Sequence, residues 1–113
     1  MEKEKYFIDV VLEKEKQRNI KMQLAYFDRL KDLPKGSLVI RKINGREYCY
    51  LKYREGSKVI QKYAGTVEQL DDIRSKIEER KHLIKLIDML KRENERISKM
   101  EAIKWFVIME VML

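Results

Sequence analysis

The chain is 113 residues long, 40% of them charged, with a formal net charge of +7 and a pI near 9.5. That length builds one domain with a modest core and excludes both a second domain and a deep active site assembled from many elements. The basic balance points to a polyanionic partner, nucleic acid first among them, and the single cysteine, Cys49, excludes an intrachain disulfide, as expected of a protein in the reducing cytoplasm.

The charged start, Met1-Glu2-Lys3-Glu4-Lys5, is unlike a secretory leader, and no run reaches the ~18–20 apolar residues of a membrane span. Residues 1–33 read as a helix with a frayed start, interrupted by neither Gly nor Pro until Pro34. Ile20, Leu24, Phe27 and Leu30 recur at helical spacing and are expected to form one buried stripe. Phe7, Ile8, Val11 and Leu12 form an earlier apolar patch. The polar run from Glu13 to Asn19 between them reads as a solvated bridge within one long helix rather than a break between two short ones. Leu33-Pro34-Lys35-Gly36 ends the helix, because Pro34 disfavours helical geometry at Leu33 and Gly36 permits a turn.

The hydrophobic period then changes from 3.6 to 2, and residues 37–65 read as a three-stranded antiparallel meander. Leu38 to Ile43 is the first strand. Asn44-Gly45 is a strong hairpin signal, since both residues tolerate the positive φ of a type I′ turn. Arg46 to Arg54 is the second strand, Glu55-Gly56-Ser57 the second turn, and Lys58 to Tyr63 the third strand. Residues 66–100 read as a second long helix, started by Thr66 and Gln69 at capping-box spacing, with Glu68, Asp71 and Asp72 favoured at the positive end of its dipole. Leu70, Ile73, Ile77, Ile84 and Ile87 trace its apolar face, with Leu83, Leu90 and Ile97 beside it. Residues 101–113 form an apolar tail. It is expected to pack within one chain or between two, because an exposed patch of this kind is an aggregation liability.

A two-residue loop at Asn44-Gly45 sets the register. Ile43 opposes Arg46, Arg41 opposes Tyr48, Ile40 opposes Cys49, Val39 opposes Tyr50 and Leu38 opposes Leu51. One face then gathers Leu38, Ile40, Cys49, Leu51, Tyr53 and Ile60, to be packed on the helices. The other gathers Arg41, Arg46, Tyr48, Tyr50, Lys52, Arg54, Gln61 and Tyr63. Alternation alone is what any half-buried sheet shows. What sets this sheet apart is its charge: residues 37–65 hold seven basic against two acidic residues, whereas residues 66–113 hold ten of each. Arg41, Arg46, Lys52 and Arg54 suit phosphates, and Tyr48, Tyr50 and Tyr63 offer stacking platforms for bases. A longer second turn would slip the third strand by one residue, turning Ile60 outward and Val59 and Tyr63 inward.

Nothing in the chain points to catalysis or a cofactor. His82 and Cys49 lie on different elements, no Cys/His cluster has metal-ligand spacing, and each Gly is isolated in a turn, so no phosphate-cradling loop exists. The acidic pairs Asp71-Asp72 and Glu78-Glu79 read as solvated helix charge, with a carboxylate nuclease a distant third reading.

The segments Leu33-Pro34-Lys35-Gly36-Ser37-Leu38, Asn44-Gly45-Arg46-Glu47-Tyr48, Tyr53-Arg54-Glu55-Gly56 and Lys62-Tyr63-Ala64-Gly65 resemble a motif set of small, mostly uncharacterised bacterial and mobile-element proteins. In those a leading helix, a Tyr-rich hairpin and a long Lys/Glu-rich helix follow one another. The resemblance covers residues 20–97, and the apolar tail departs from it. The three strands and helix are also similar to the arm-type DNA-binding domain of tyrosine recombinases. Small basic phage and plasmid proteins of this size include anti-CRISPR proteins. The resemblance thus implies, in its most specific form, an inhibitor of a type II CRISPR effector or its guide RNA. The expectation is an α+β protein that binds nucleic acid or a ribonucleoprotein without catalysis. The alternative is a structural module that assembles with itself or another protein through its helices and residues 105–113.

Overall fold

The computed structural model describes residues 7–112, without the side chains of residues 104 and 105. The expected helical start at residues 1–6, the Trp105 side chain and Leu113 lie outside the described residues. The protein is α+β: helix α1 (Phe7–Leu30), strands β1 (Ser37–Ile43), β2 (Arg46–Glu55) and β3 (Lys58–Thr66), a 3₁₀ turn (Val67–Gln69) and helix α2 (Leu70–Met112). The residues fall into two compact units. One comprises the described residues up to Asp28 together with those from Lys85 onward, and the other comprises Arg29–Ile84.

The Arg29–Ile84 unit holds the antiparallel sheet, in the order β1-β2-β3. Asn44 and Gly45 take φ of 52° and 81°, the pair of positive values a type I′ turn needs. The β1–β2 register is the expected one in every pair, from Leu38 opposite Leu51 to Ile43 opposite Arg46. The second turn is the two-residue Gly56-Ser57, so Glu55 opposes Lys58, Tyr53 opposes Ile60, Lys52 opposes Gln61 and Tyr50 opposes Tyr63. The slipped alternative for β3 is not adopted. Beyond Tyr63 the ladder shifts: Cys49 opposes Gly65, leaving Ala64 as an extra residue in a β-bulge.

The bulge brings both Ala64 and Gly65 toward the packed side. Cys49 and Leu51 from β2 form a core with Ile73 and Ile77 of α2, and Leu38, Ala64 and Leu70 pack around it. Each buried aliphatic side chain there stabilises by about 1.5–3 kcal/mol. The Cys49 thiol donates to the Thr66 carbonyl at 3.6 Å, and the Thr66 N–H donates to Gln69 Oε1 at 3.3 Å, which satisfies one orphan donor of the helix start. Ile40, expected on the packed face, sits on the edge strand β1 and stays exposed. The Arg29 guanidinium grips the Glu79 carboxylate with two bonds, of 2.8 and 3.0 Å. Arg80 Nη1 donates to the carbonyls of Leu30 and Leu33, at 3.1 and 3.4 Å, at the end of α1, where the Leu33 N–H also donates to the Leu30 carbonyl at 3.2 Å.

In the other unit α1 and α2 run antiparallel. Asn19 Nδ2 donates to the Leu90 carbonyl at 2.8 Å, and Lys16 pairs with Glu101 at 3.5 Å. α1 passes unbroken through its polar segment, as expected, but its inward face is not the expected one. Ile20, Leu24 and Phe27 are 44%, 63% and 42% exposed, while Leu12 and Asn19 are buried. A single helix partner covers only a narrow seam. Leu12 and Asn19 stand seven residues apart, and in the same unit Ile87, Leu90 and Ile97 of α2 are the buried residues. Asn19 is tolerated there because both ends of its amide are bonded, Gln23 Nε2 donating to its Oδ1 at 2.7 Å. In the Arg29–Ile84 unit α2 too departs from the expected face, since Leu83 is buried and Ile84 is exposed. α2 also continues through the apolar tail to Met112 rather than ending near Met100. Ile103, Phe106, Val107, Met109, Val111 and Met112 remain exposed, so of the two expected modes, packing within one chain or between two, the first is not adopted. No helix among the described residues is long and apolar enough to cross a membrane.

Candidate nucleic-acid interface

Alternation along β2 puts Arg46, Tyr48, Tyr50, Lys52 and Arg54 on the sheet face away from Cys49 and Leu51. Successive members of this row stand about 6.8 Å apart, two strand rises. Pairing adds Val39, Arg41 and Ile43 from β1 and Val59, Gln61 and Tyr63 from β3. Every sequence-predicted site residue therefore lies on one face. They do not form one cluster: Arg46 and Arg54 stand at opposite ends of β2, about 27 Å apart at 3.4 Å per residue.

The middle of the face is aromatic. The Tyr63 ring lies 5.8 Å from that of Tyr50, edge-on at 74°, and 6.2 Å from that of Tyr48. The Arg41 guanidinium sits 5.7 Å from the Tyr50 ring centroid, within cation–π range. Tyr63 keeps 53% of its surface exposed while Tyr48 and Tyr50 are half-buried, so Tyr63 is the ring most open to a ligand.

The electrostatics follow from the register. The two acidic residues of the sheet, Glu47 and Glu55, oppose Lys42 and Lys58 and alternate onto the other face. Neither acid of the sheet alternates onto the tyrosine face; at its Arg46 end, Glu47 and Glu68 border the same hollow as Arg46 and Tyr48. Arg41, Arg46, Lys52 and Arg54 are exposed, and among the described residues none of them has a carboxylate within ion-pair distance. Several helix charges are paired instead, Arg18 with Glu15 and Glu93, Lys76 with Asp72, Lys81 with Glu78 and Arg92 with Asp88. Arg74, Lys85, Arg96 and Lys99 have no carboxylate within ion-pair distance among the described residues. Cations with no partner in the chain suit an external anion; paired ones are already neutralised.

Other candidates assemble no chemistry. Cys49 is fully buried, His82 is exposed, and among the described residues no group of three His, Cys, Asp or Glu is placed to hold a metal ion. Sequence reading passed over Lys35 and Lys62. Lys62 alternates onto the packed side opposite Leu51, and Lys35 Nζ lies 4.8 Å above the Tyr53 ring.

A family model described as "Domain of unknown function" (DUF6788) matches residues 10–75, which take in most of α1, the whole sheet and the first residues of α2. No curated protein matches the chain, and no solved structure does.

Proposed function

We propose that this chain, which belongs to the DUF6788 family, binds an unpaired nucleic-acid strand on the outer face of its sheet, in the cytoplasm and without catalysing a reaction on it. The observation that carries the reading is the sorting of charge by the register: four unpaired cations and three tyrosines on one face, with both acids of the sheet turned away. Tyrosine rings accept any base face, and a row of cations follows a backbone. The same surface also fits the nucleic acid of a ribonucleoprotein. The narrower role, an anti-CRISPR protein acting on a type II effector or its guide RNA, is supported by the sequence resemblance alone.

Fluorescence anisotropy of a labelled 12-nucleotide RNA and its DNA counterpart, across a salt series, tests the reading. Affinity should fall as salt rises, with a logarithmic slope of about 0.7 per phosphate engaged. Reversing Arg41, Arg46 and Arg54 together to Glu should abolish binding and leave the melting temperature near its starting value. An affinity indifferent to salt, or to that triple reversal, sinks the proposal.

A second reading, self-association, is favoured by the exposed apolar residues of the helices, Ile20, Leu24 and Phe27 on α1 and Phe106, Val107 and Met109 on α2. Light-scattering mass of the full chain and of a version lacking residues 105–113 decides it. A dimer that reverts to monomer on truncation supports assembly through the tail, and a full chain that is already monomeric refutes it.

A further inference from the structure

We infer that the opposite side of the sheet carries a separate site, a cleft that takes one nucleoside phosphate. The cleft has a volume of about 470 Å³, within the range of small-ligand sites. Leu33 and Pro34 supply an apolar wall, Tyr53 an aromatic one, and Lys35, Lys62 and Arg80 the charge, with Lys31 at the rim. Among the described residues no Asp or Glu lines it; Asp32 and Asp72 border the adjoining hollow instead.

Lys35, Lys62 and Arg80 reach the cleft by distinct routes. Lys62 projects from β3 beside Leu51. Lys35 follows Pro34 and rests over the Tyr53 ring at 4.8 Å. Arg80 is anchored by the Leu30 and Leu33 carbonyls through a single nitrogen, Nη1, which leaves its other N–H groups for an oxyanion. Four cations around an apolar and aromatic wall match a flat base joined to a phosphate, and suit neither a bare anion nor a neutral hydrocarbon. The base lies against Tyr53 and Pro34, and the phosphate among Lys35, Lys62 and Arg80.

Tyr63 connects the two sites. It belongs to the tyrosine cluster of the outer face and also borders the cleft. It neighbours Lys62 on β3, an outer strand of the sheet. A strand lying on the outer face has only to turn around β3 for one unstacked nucleotide to enter. In this form the inference rests on the proposed function. A free mononucleotide offers the same chemistry without it.

The test separates the two sources. AMP, GMP, inorganic phosphate and the 12-nucleotide RNA are titrated by calorimetry into the wild-type chain, a Lys35→Glu/Lys62→Glu variant, a milder Tyr53→Leu variant and the Arg41/Arg46/Arg54 reversal. Amide spectra follow Lys62 and Tyr53, and circular dichroism checks folding. AMP or GMP should bind the wild type and the outer-face variant alike, at least tenfold tighter than inorganic phosphate. Both cleft variants should lose at least tenfold and move no shifts at residue 62. RNA affinity should fall at least threefold in the cleft variants. If mononucleotides bind but RNA does not, the cleft stands as a free-nucleotide site and the outer-face reading falls. If RNA binds while mononucleotides do not and the cleft variants leave its affinity unchanged, the cleft inference is overturned. Binding of inorganic phosphate as tight as AMP overturns it too, since the aromatic wall then contributes nothing.

Discussion

Single residues set the geometry on which both surfaces depend. Gly36 takes φ of +111° where the chain leaves the helix for β1, and a Cβ there would stand 2.6 Å from the Lys52 carbonyl oxygen. Gly36→Ala therefore meets both left-handed strain and a backbone clash, each of order 1–3 kcal/mol. The urea midpoint should fall accordingly; an unchanged midpoint would mean that the segment relaxes freely around Lys52. Residue chemistry also decided what was legible. Asn44-Gly45 announces its turn because few residues accept two positive φ values, and that alone yields the β1–β2 register and the placement of Arg41, Arg46, Tyr48 and Tyr50. Asn19 was illegible for the opposite reason. A polar side chain reads as solvent-facing, and only the Leu90 carbonyl and Gln23 amide around it explain its burial.

Elements add constraints that residues do not carry. The seam between α1 and α2 is narrow, so helical periodicity correctly foretold a helix and misjudged its inward face: Ile20, Leu24 and Phe27 satisfy the 3.6 period yet lie outside the strip one partner helix covers. The bulge at Ala64 was likewise beyond sequence reading, since an extra residue in a ladder shows only against its partner strand. Within the Arg29–Ile84 unit, the Arg29–Glu79 pair fastens the end of α1 to α2. The hydrogen bond from Arg29 holds the Glu79 carboxyl below its usual 4.5, and Glu79 in turn raises Arg29. A carboxyl depressed on folding contributes stability above its unfolded value and loses it as pH falls through the folded one. The melting temperature should thus drop as pH falls below the ordinary glutamate range. Glu79→Gln should flatten that drop, and an identical acid profile in the variant would leave the pair without a role in stability. The effect is modest, because both side chains are exposed.

At the scale of the whole molecule, charge is divided by element. The surplus lies on the sheet, while residues 66–113 carry equal numbers of basic and acidic side chains, many of them paired along α2. Composition showed that surplus, and alternation showed which side of the sheet receives it. The cleft around Lys35, Lys62 and Arg80 was not legible, because its parts come from three segments that no local pattern joins. The family match covers the sheet and stops at residue 75, so the long remainder of α2 with its apolar end lies outside the matched region.

The bulge at Ala64 has a consequence for how copies of the chain behave beside one another. A strand at the margin of a sheet offers unmet N–H and C=O groups, a template on which another molecule's strand can lengthen the ladder. On the proposed function the outer face stays uncovered, so the margin of the sheet needs a guard other than a helix. In β3 that guard is the local kink of the extra residue together with Lys58 and Lys62. Deleting Ala64 would straighten the strand, and turbidity or thioflavin fluorescence at high concentration should then rise well above wild type. A variant that stays clear would show that the lysines suffice. If the proposed ligand binds the sheet, the irregular residue is what leaves that surface open while blunting its edge.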